Sequence, residues 1–315
     1  MNLRDNTNKK TMKYYSNTSQ FILLYFKSIL LTIVTFGLYY PWAKVALLKF
    51  HCRSTILQEN SFNFVGTAKD VFKSYLILLV IIAITFLFLF TSFIAPNNKI
   101  YPFLFAISYF IFISIIPVVI HGTLKYRSKN TLWKGIQFHY LGSKSELYWK
   151  FLSGLLTTFL TLGIYTPWFF TELRKYIISH LRFGNLSFEF KGEGAQLFWI
   201  QIKFIFLFPS TFGIYSFWFI KELLQFYINN IEVNQNEIKT RLQLDVRTGD
   251  IFRLTIINFA LIIFSFGLAM PFVILRTYKA LASFIQIEDS IQINKIQQAN
   301  YKTTFKDDFL DLKLV

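Results

Sequence analysis

The chain has 315 residues, of which 54% are hydrophobic and only 16% charged, with 39 Phe and a mean hydropathy of +0.42. Soluble domains carry roughly 25% charged residues, so a water-soluble fold cannot hide this much apolar surface, and the composition points to a membrane protein. A formal net charge of +16 would suggest nucleic acid in a soluble chain. In a membrane chain it is the mark of cytosolic loops under the positive-inside rule, facing a bilayer with anionic headgroups, and no nucleic-acid partner is expected.

In chain order, a polar leader over 1–20 carries Arg4, Lys9, Lys10 and Lys13 and has no small-residue cleavage site after it, so the first apolar run reads as a retained span. Near-continuous apolar runs follow at Phe21 to Trp42, Val71 to Ala95, Pro102 to Ile120, Leu147 to Phe170, Leu197 to Ile220 and Ile251 to Leu275. Each approaches the ~20 residues that cross a hydrocarbon core.

A turn recurs within these runs. It reads Thr35-Phe36-Gly37-Leu38-Tyr39-Tyr40-Pro41-Trp42, then Thr161-Leu162-Gly163-Ile164-Tyr165-Thr166-Pro167-Trp168, then Thr211-Phe212-Gly213-Ile214-Tyr215-Ser216-Phe217-Trp218, with an eroded copy from Ser265 to Phe272. Recurrence at a fixed register means that each copy is one structural unit. After each turn comes a basic segment with a lysine before an aromatic (Lys49-Phe50, Lys125-Tyr126, Lys175-Tyr176), a pairing suited to a membrane interface, with the ring among the headgroups. Next comes a period-two stretch ending in glycine: Ser61 to Gly66, Ile136 to Gly142, Leu186 to Gly192. Alternation after turn residues such as Lys134-Gly135 and Gly184-Asn185 predicts β-hairpins, and helices restarting near Asp70, Ser145, Gly194 and Asp250.

The expected fold is therefore mainly α: a helical integral membrane protein of repeated helix-break-helix units with short interfacial β-hairpins. The units are a leader over 1–20, repeats over 21–66, 67–142 (with an extra membrane insertion), 143–192 and 193–246, a degenerate fifth repeat over 247–298, and a polar tail over 299–315.

The turn, the basic helix and the Phe-x-Phe-x-Gly strand together resemble the YjgN family of uncharacterised bacterial inner-membrane proteins, over roughly Gln20 to Ile293. The chain departs from the pattern at Phe217, where the proline is missing, and in the last copy. The resemblance implies a multi-pass protein of the bacterial inner (cytoplasmic) membrane and carries no activity to transfer.

Two topologies fit the pattern. If each ordinary unit crosses once, successive hairpins fall on opposite faces; if each enters and returns, all share one face. Positive-inside bias favours the second, while single runs such as Leu147 to Phe170 look like ordinary spans. The second unit is longer by about 26 residues, near one crossing at 1.5 Å per residue.

The turn residues Gly37, Tyr39, Pro41, Trp42, Gly163, Tyr165, Pro167, Trp168, Gly213, Tyr215 and Trp218 read as a structural motif, with the tryptophans as interfacial anchors. Lys27, Lys203, Glu172 and Glu222 are charges within or beside apolar runs. They are a candidate polar lining; the plainer account is snorkelling lysines and local ion pairs of Glu172 with Arg174 and of Glu222 with Lys221. The four histidines show no ligand spacing, and no nucleophile with a base or pair of carboxylates is apparent, so no catalytic, cofactor or metal site is expected. The reading is a non-enzymatic membrane scaffold or envelope-associated module. The alternative is a transporter or channel using the broken helices. Protein partner and oligomeric state are open.

Overall fold

The computed structural model describes residues 10–95, 97–236, 238–287, 292 and 296–298. Strands β1 (Lys10–Thr11) and β2 (Lys13–Tyr14) precede helices α1 (Thr18–Val34) and α2 (Tyr40–Ser54), which lead to β3 (Thr55–Leu57) and β4 (Asn60–Phe64). Next come α3 (Ala68–Ile94), α4 (Ile100–Asn130), β5 (Thr131–Trp133) and β6 (Ile136–Tyr140), then α5 (Lys144–Leu160), α6 (Thr166–Ser179), β7 (Leu181–Phe183) and β8 (Leu186–Phe190). The chain continues through α7 (Gly194–Ser210), α8 (Ser216–Asn229), β9 (Ile231–Gln235), β10 (Ile238–Arg241) and β11 (Gln243–Leu244), and closes with α9 (Thr248–Phe264), α10 (Met270–Phe284) and β12 (Ile285–Ile287). The fold is mainly helical and carries a large antiparallel sheet.

That sheet corrects the expectation of short, separate hairpins. Strands β2 to β10 pair in strict chain order, and β12 lies between β1 and β11. Met12 alone separates β1 from β2, and Leu242 alone separates β10 from β11. The two sheets therefore share two near-continuous strands and together form a closed ring. Closure removes the exposed edges that isolated hairpins would leave. Period-two alternation sends Leu57, Trp133, Phe183, Leu186 and Val233 into one buried cluster that fills the ring, joined by Ile296 from beyond β12. That segment is clasped by side chains: Gln235 exchanges two hydrogen bonds with the Gln292 backbone (2.9 and 3.1 Å), and Gln137 N–H donates to Gln298 Oε1 at 2.8 Å.

The helices pack on their chain neighbours, and α10 returns to α1. They start where expected, close to Asp70, Ser145, Gly194 and Asp250. Asp70 and Asp250 are third-position residues that accept from the Thr67 and Arg247 N–H groups (3.2 and 3.0 Å), and α5 is capped by Ser143. Two of the three aromatics of the Lys-aromatic pairs are drawn inward: Tyr126 and Tyr176 are buried, and their hydroxyls donate to the carbonyls of Thr67 (2.8 Å) and Ser143 (3.0 Å). Each ties the foot of one helix to the start of its antiparallel partner. The signal for a headgroup-level ring and for a buried ring with a hydroxyl partner is the same in sequence.

The reversals between α1 and α2, α5 and α6, α7 and α8, and α9 and α10 share one hydrogen-bond scheme. Phe36, Leu162, Phe212 and Phe266 take φ near +50°, and the glycines that follow take φ of +85° to +91°. Each glycine N–H reaches back to a carbonyl in the last helical turn: Thr32, Thr158, Phe208 or Ile262, at 2.7 to 2.8 Å. This is the Schellman closure, in which a left-handed residue lets the chain satisfy end carbonyls. The hydroxyls of Thr35, Thr161, Thr211 and Ser265 each donate back to a helical carbonyl (2.6 to 2.8 Å) and accept the N–H four residues on (2.8 to 3.1 Å). Three copies add a stacked Tyr-Trp pair, Tyr39 on Trp42, Tyr165 on Trp168 and Tyr215 on Trp218. Trp42 and Trp168 also pack on the following helix through Phe72 and Phe198, so they are packing residues of the turn. Pro117, by contrast, lies buried within the continuous helix α4.

The ring's seam joins its first and last elements. Tyr14 Oη and His51 Nδ1 share a hydrogen bond of 2.8 Å, and the His51 ring stacks on Tyr278 of α10 at 4.1 Å. His51 lies in the last turn of α2, at the sheet end, and burial lowers its pKa to about 4, with Lys44 adding to the shift. The fold thus favours neutral imidazole. Stability is full above the ordinary histidine value of about 6.5 and declines as pH falls towards 4.

Two outcomes are expected. Thr161→Val leaves the Tyr165 N–H without its acceptor and costs about 1–3 kcal/mol, whereas Thr161→Ser retains most of the stability; thermal unfolding in detergent measures both. The same assay at pH 7.5 and pH 5 shows a drop in midpoint for the unaltered chain, and a smaller drop for His51→Phe.

Candidate functional site

The site-like feature of this fold is a surface. Phe36, Leu162, Phe212 and Phe266, at the tips of the four short helical pairs, are 94–96% exposed. Leu38, Ile164, Ile214 and Leu268 beside them are exposed as well. Exposed apolar groups of this size, clustered at chain reversals, mark an interaction surface. The tip backbone is equally distinctive: from Thr35 to Ala43 each N–H has an acceptor, and Pro41 has none to satisfy.

One helical stretch nearer the sheet, the sixth residues of α1, α3, α5, α7 and α9 are Leu23, Lys73, Trp149, Trp199 and Arg253, all exposed. Trp149 and Trp199 are 65% and 62% exposed. Tryptophan and long cations at one level are what a headgroup boundary selects. Cations concentrate at the sheet end, as in Arg53, Lys69, Lys129, Lys134, Arg182 and Arg247, whereas the far part of the α3–α4 pair, residues 85–116, carries the single charge Lys99. Helices α3 and α4 are long and apolar enough to cross a membrane.

The four charges proposed as a polar lining are not gathered into one place. Lys203 Nζ and Glu222 Oε2 meet at 3.7 Å between α7 and α8, with both side chains partly exposed. Glu172 accepts from the Tyr165 hydroxyl at 2.9 Å, and Lys27 is exposed on α1. The expected Glu172–Arg174 pairing is replaced. The Arg174 guanidinium donates to the Tyr227 carbonyl (3.2 Å) and stacks over the rings of Tyr227 and Phe190 (4.4 and 5.4 Å).

An open groove of about 440 Å³ lies between α8, α9 and α10, lined by apolar side chains and by Asn258, which donates to Thr277 at 3.1 Å. Sequence reasoning placed Thr35, Thr161, Thr211 and Ser265 at the head of each turn but gave their hydroxyls no role. Their signal was a Ser or Thr two residues before every turn glycine.

Comparison with known proteins gives a family and no activity. No curated protein and no solved structure matches the chain. A family model described as a bacterial protein of unknown function, DUF898, matches residues 9–212 and 218–311. The break between the two matched stretches falls on the turn that has Phe217 in place of proline. The turn motif, the basic segments and nearly the whole length of the chain agree on one assignment: the protein belongs to the bacterial DUF898 family, the YjgN-type family of unknown function.

Proposed function

We propose that the protein is a multi-pass integral protein of the bacterial inner membrane, with its helical tips in the bilayer and its strand ring at the cytosolic surface, acting as a non-enzymatic scaffold. The observation that carries this reading is the set of fully exposed apolar tips whose N–H groups are closed internally. Backbone donors facing lipid have no water to bond and must be satisfied by the protein, while a reversal in water has no such requirement. The concentration of cations at the sheet end supports the orientation through the positive-inside rule and gives that face affinity for anionic headgroups.

A second reading, a transporter, is favoured by one observation: the Lys203–Glu222 pair, set among apolar residues on adjacent helices. Removing one partner of such a pair strands the other charge.

Two experiments test these readings. Single cysteines at Asn60, Gly135, Asn185 and Asn98 in a Cys52→Ser background are treated with an impermeant thiol reagent in intact cells. The first three are protected and Asn98 reacts; labelling of Asn185 with protection of Asn60 would mean units that cross once. In a double-mutant cycle, Lys203→Met lowers the unfolding midpoint in detergent more than Lys27→Met, and adding Glu222→Gln restores part of the loss. Substrate-dependent flux in vesicles that is abolished by Lys203→Met would establish the transporter instead.

A further inference from the structure

Resting on the membrane reading above, we infer that the four short helical pairs enter only one leaflet, and that α3 and α4 alone cross the bilayer. The partner of the tips is the acyl-chain interior of the sheet-side leaflet.

The argument is one of length. From the sixth residue of each short first helix to its last residue, as from Trp149 to Leu160 or Arg253 to Phe264, the axis advances about 17 Å at 1.5 Å per residue, and any tilt makes the depth smaller. A hydrocarbon core is about 30 Å thick. Half of that core is about 15 Å, so a helix anchored at the headgroup boundary by Trp149 or Trp199 ends close to the midplane, far short of the opposite boundary. From Lys73 to Ile94 the rise is about 32 Å, sufficient for a whole crossing, and beyond it lies the polar Asn97-Asn98-Lys99 loop.

Charge placement agrees independently. Lys27, Glu172, Lys203, Glu222 and Arg276 lie about 9–11 Å, along the axis, from the tip ends of their helices, with Lys44 and Lys221 nearer, at about 6 and 8 Å. In a hairpin spanning both leaflets the first five would sit near the bilayer centre, where charge is most costly. With the tip close to the midplane those five lie towards the headgroups, within reach of water by snorkelling. Residues 85–116 of the long pair carry no charge apart from Lys99. The tips themselves match this depth: Phe36, Leu162, Phe212 and Phe266 face outward, and their turns contain no charged residue.

It follows that ten helices displace lipid from the sheet-side leaflet, the eight of the short pairs together with α3 and α4, and two from the other, which runs uninterrupted over the four tips.

The test is depth. Single cysteines at Phe36, Leu162, Phe212 and Phe266, in the Cys52→Ser full-length chain, carry a nitroxide label in phosphatidylethanolamine–phosphatidylglycerol vesicles, and collision rates with oxygen and with a neutral nickel chelate report depth. Labels at Leu38, Ile164, Ile214 and Leu268 serve where a tip variant is not recovered. All tips are expected to be oxygen-accessible and nickel-protected, on the sheet side or within about 5 Å of the midplane, with Trp149→Cys shallower and Asn98→Cys nickel-accessible. Tip labels at the far headgroup level, or as nickel-accessible as Asn98, overturn the inference while leaving the protein membrane-bound. Loss of the unlabelled chain from the vesicles in a carbonate wash overturns the membrane reading together with it.

Discussion

A chain reversal in a medium without water has to satisfy its own backbone, because a stranded N–H there costs several kcal/mol and has nothing else to bond. On the proposed membrane reading, the four short reversals answer that requirement in one way. A left-handed glycine carries the Schellman bond, and a Ser or Thr hydroxyl serves as donor to the helix behind and acceptor for the helix ahead. The residue between them is left with its side chain outside, at φ near +50° and almost wholly exposed. An apolar residue in so exposed a place is unfavourable in water and comfortable in hydrocarbon, so backbone closure and tip composition express one constraint.

The opposite end of the molecule meets a related problem with different means. Hairpins of three to five residues per strand are marginal alone, since each leaves two edges of unpaired groups. Here each edge pairs with the next hairpin, and the edges left at the two ends meet through β12. Two-residue hairpin loops make that possible, with Gln58-Glu59 and Lys134-Gly135 in left-handed conformation. The ring closes only because the first strand and the last strand come together, which makes the stack of Tyr14, His51 and Tyr278 a joint between sequence-distant parts. Placing a neutral histidine there gives the closure a dependence on pH that a phenylalanine would lack.

Much of this was legible in the sequence. Periodicity located the helical runs, alternation located the strands, and the turn motif marked the reversals. What alternation cannot express is which hairpin pairs with which, because Phe62, Phe138 and Phe188 look the same whether they cover a bilayer surface or fill a ring. Tyr126 and Tyr176 were misread for a similar reason, as an amphipathic ring suits an interface and a buried niche alike until its hydroxyl partner is known. The pairing of Lys203 with Glu222 depended on two helices returning alongside each other, a fact of topology, whereas Arg174 was drawn away from Glu172 by rings on two other elements.

The divergent copies separate the jobs that the motif combines. The α7–α8 reversal has lost proline, yet keeps Thr211, Gly213 and the Tyr215–Trp218 stack; its Phe217 N–H finds only a long bond of 3.4 Å to Ile214. The α9–α10 reversal has lost the aromatic pair, with Ala269 and Phe272 in its place, but keeps Ser265 and Gly267 in the same bonds. Proline, which only spares a donor and fixes φ, can go, and so can the stacked rings, which add packing. The hydroxyl and the left-handed glycine remain in all four copies. Those are the two features whose loss would leave a backbone N–H without an acceptor or force a side chain into a strained conformation, so the part of the motif that persists is the part that closes the backbone at an apolar tip.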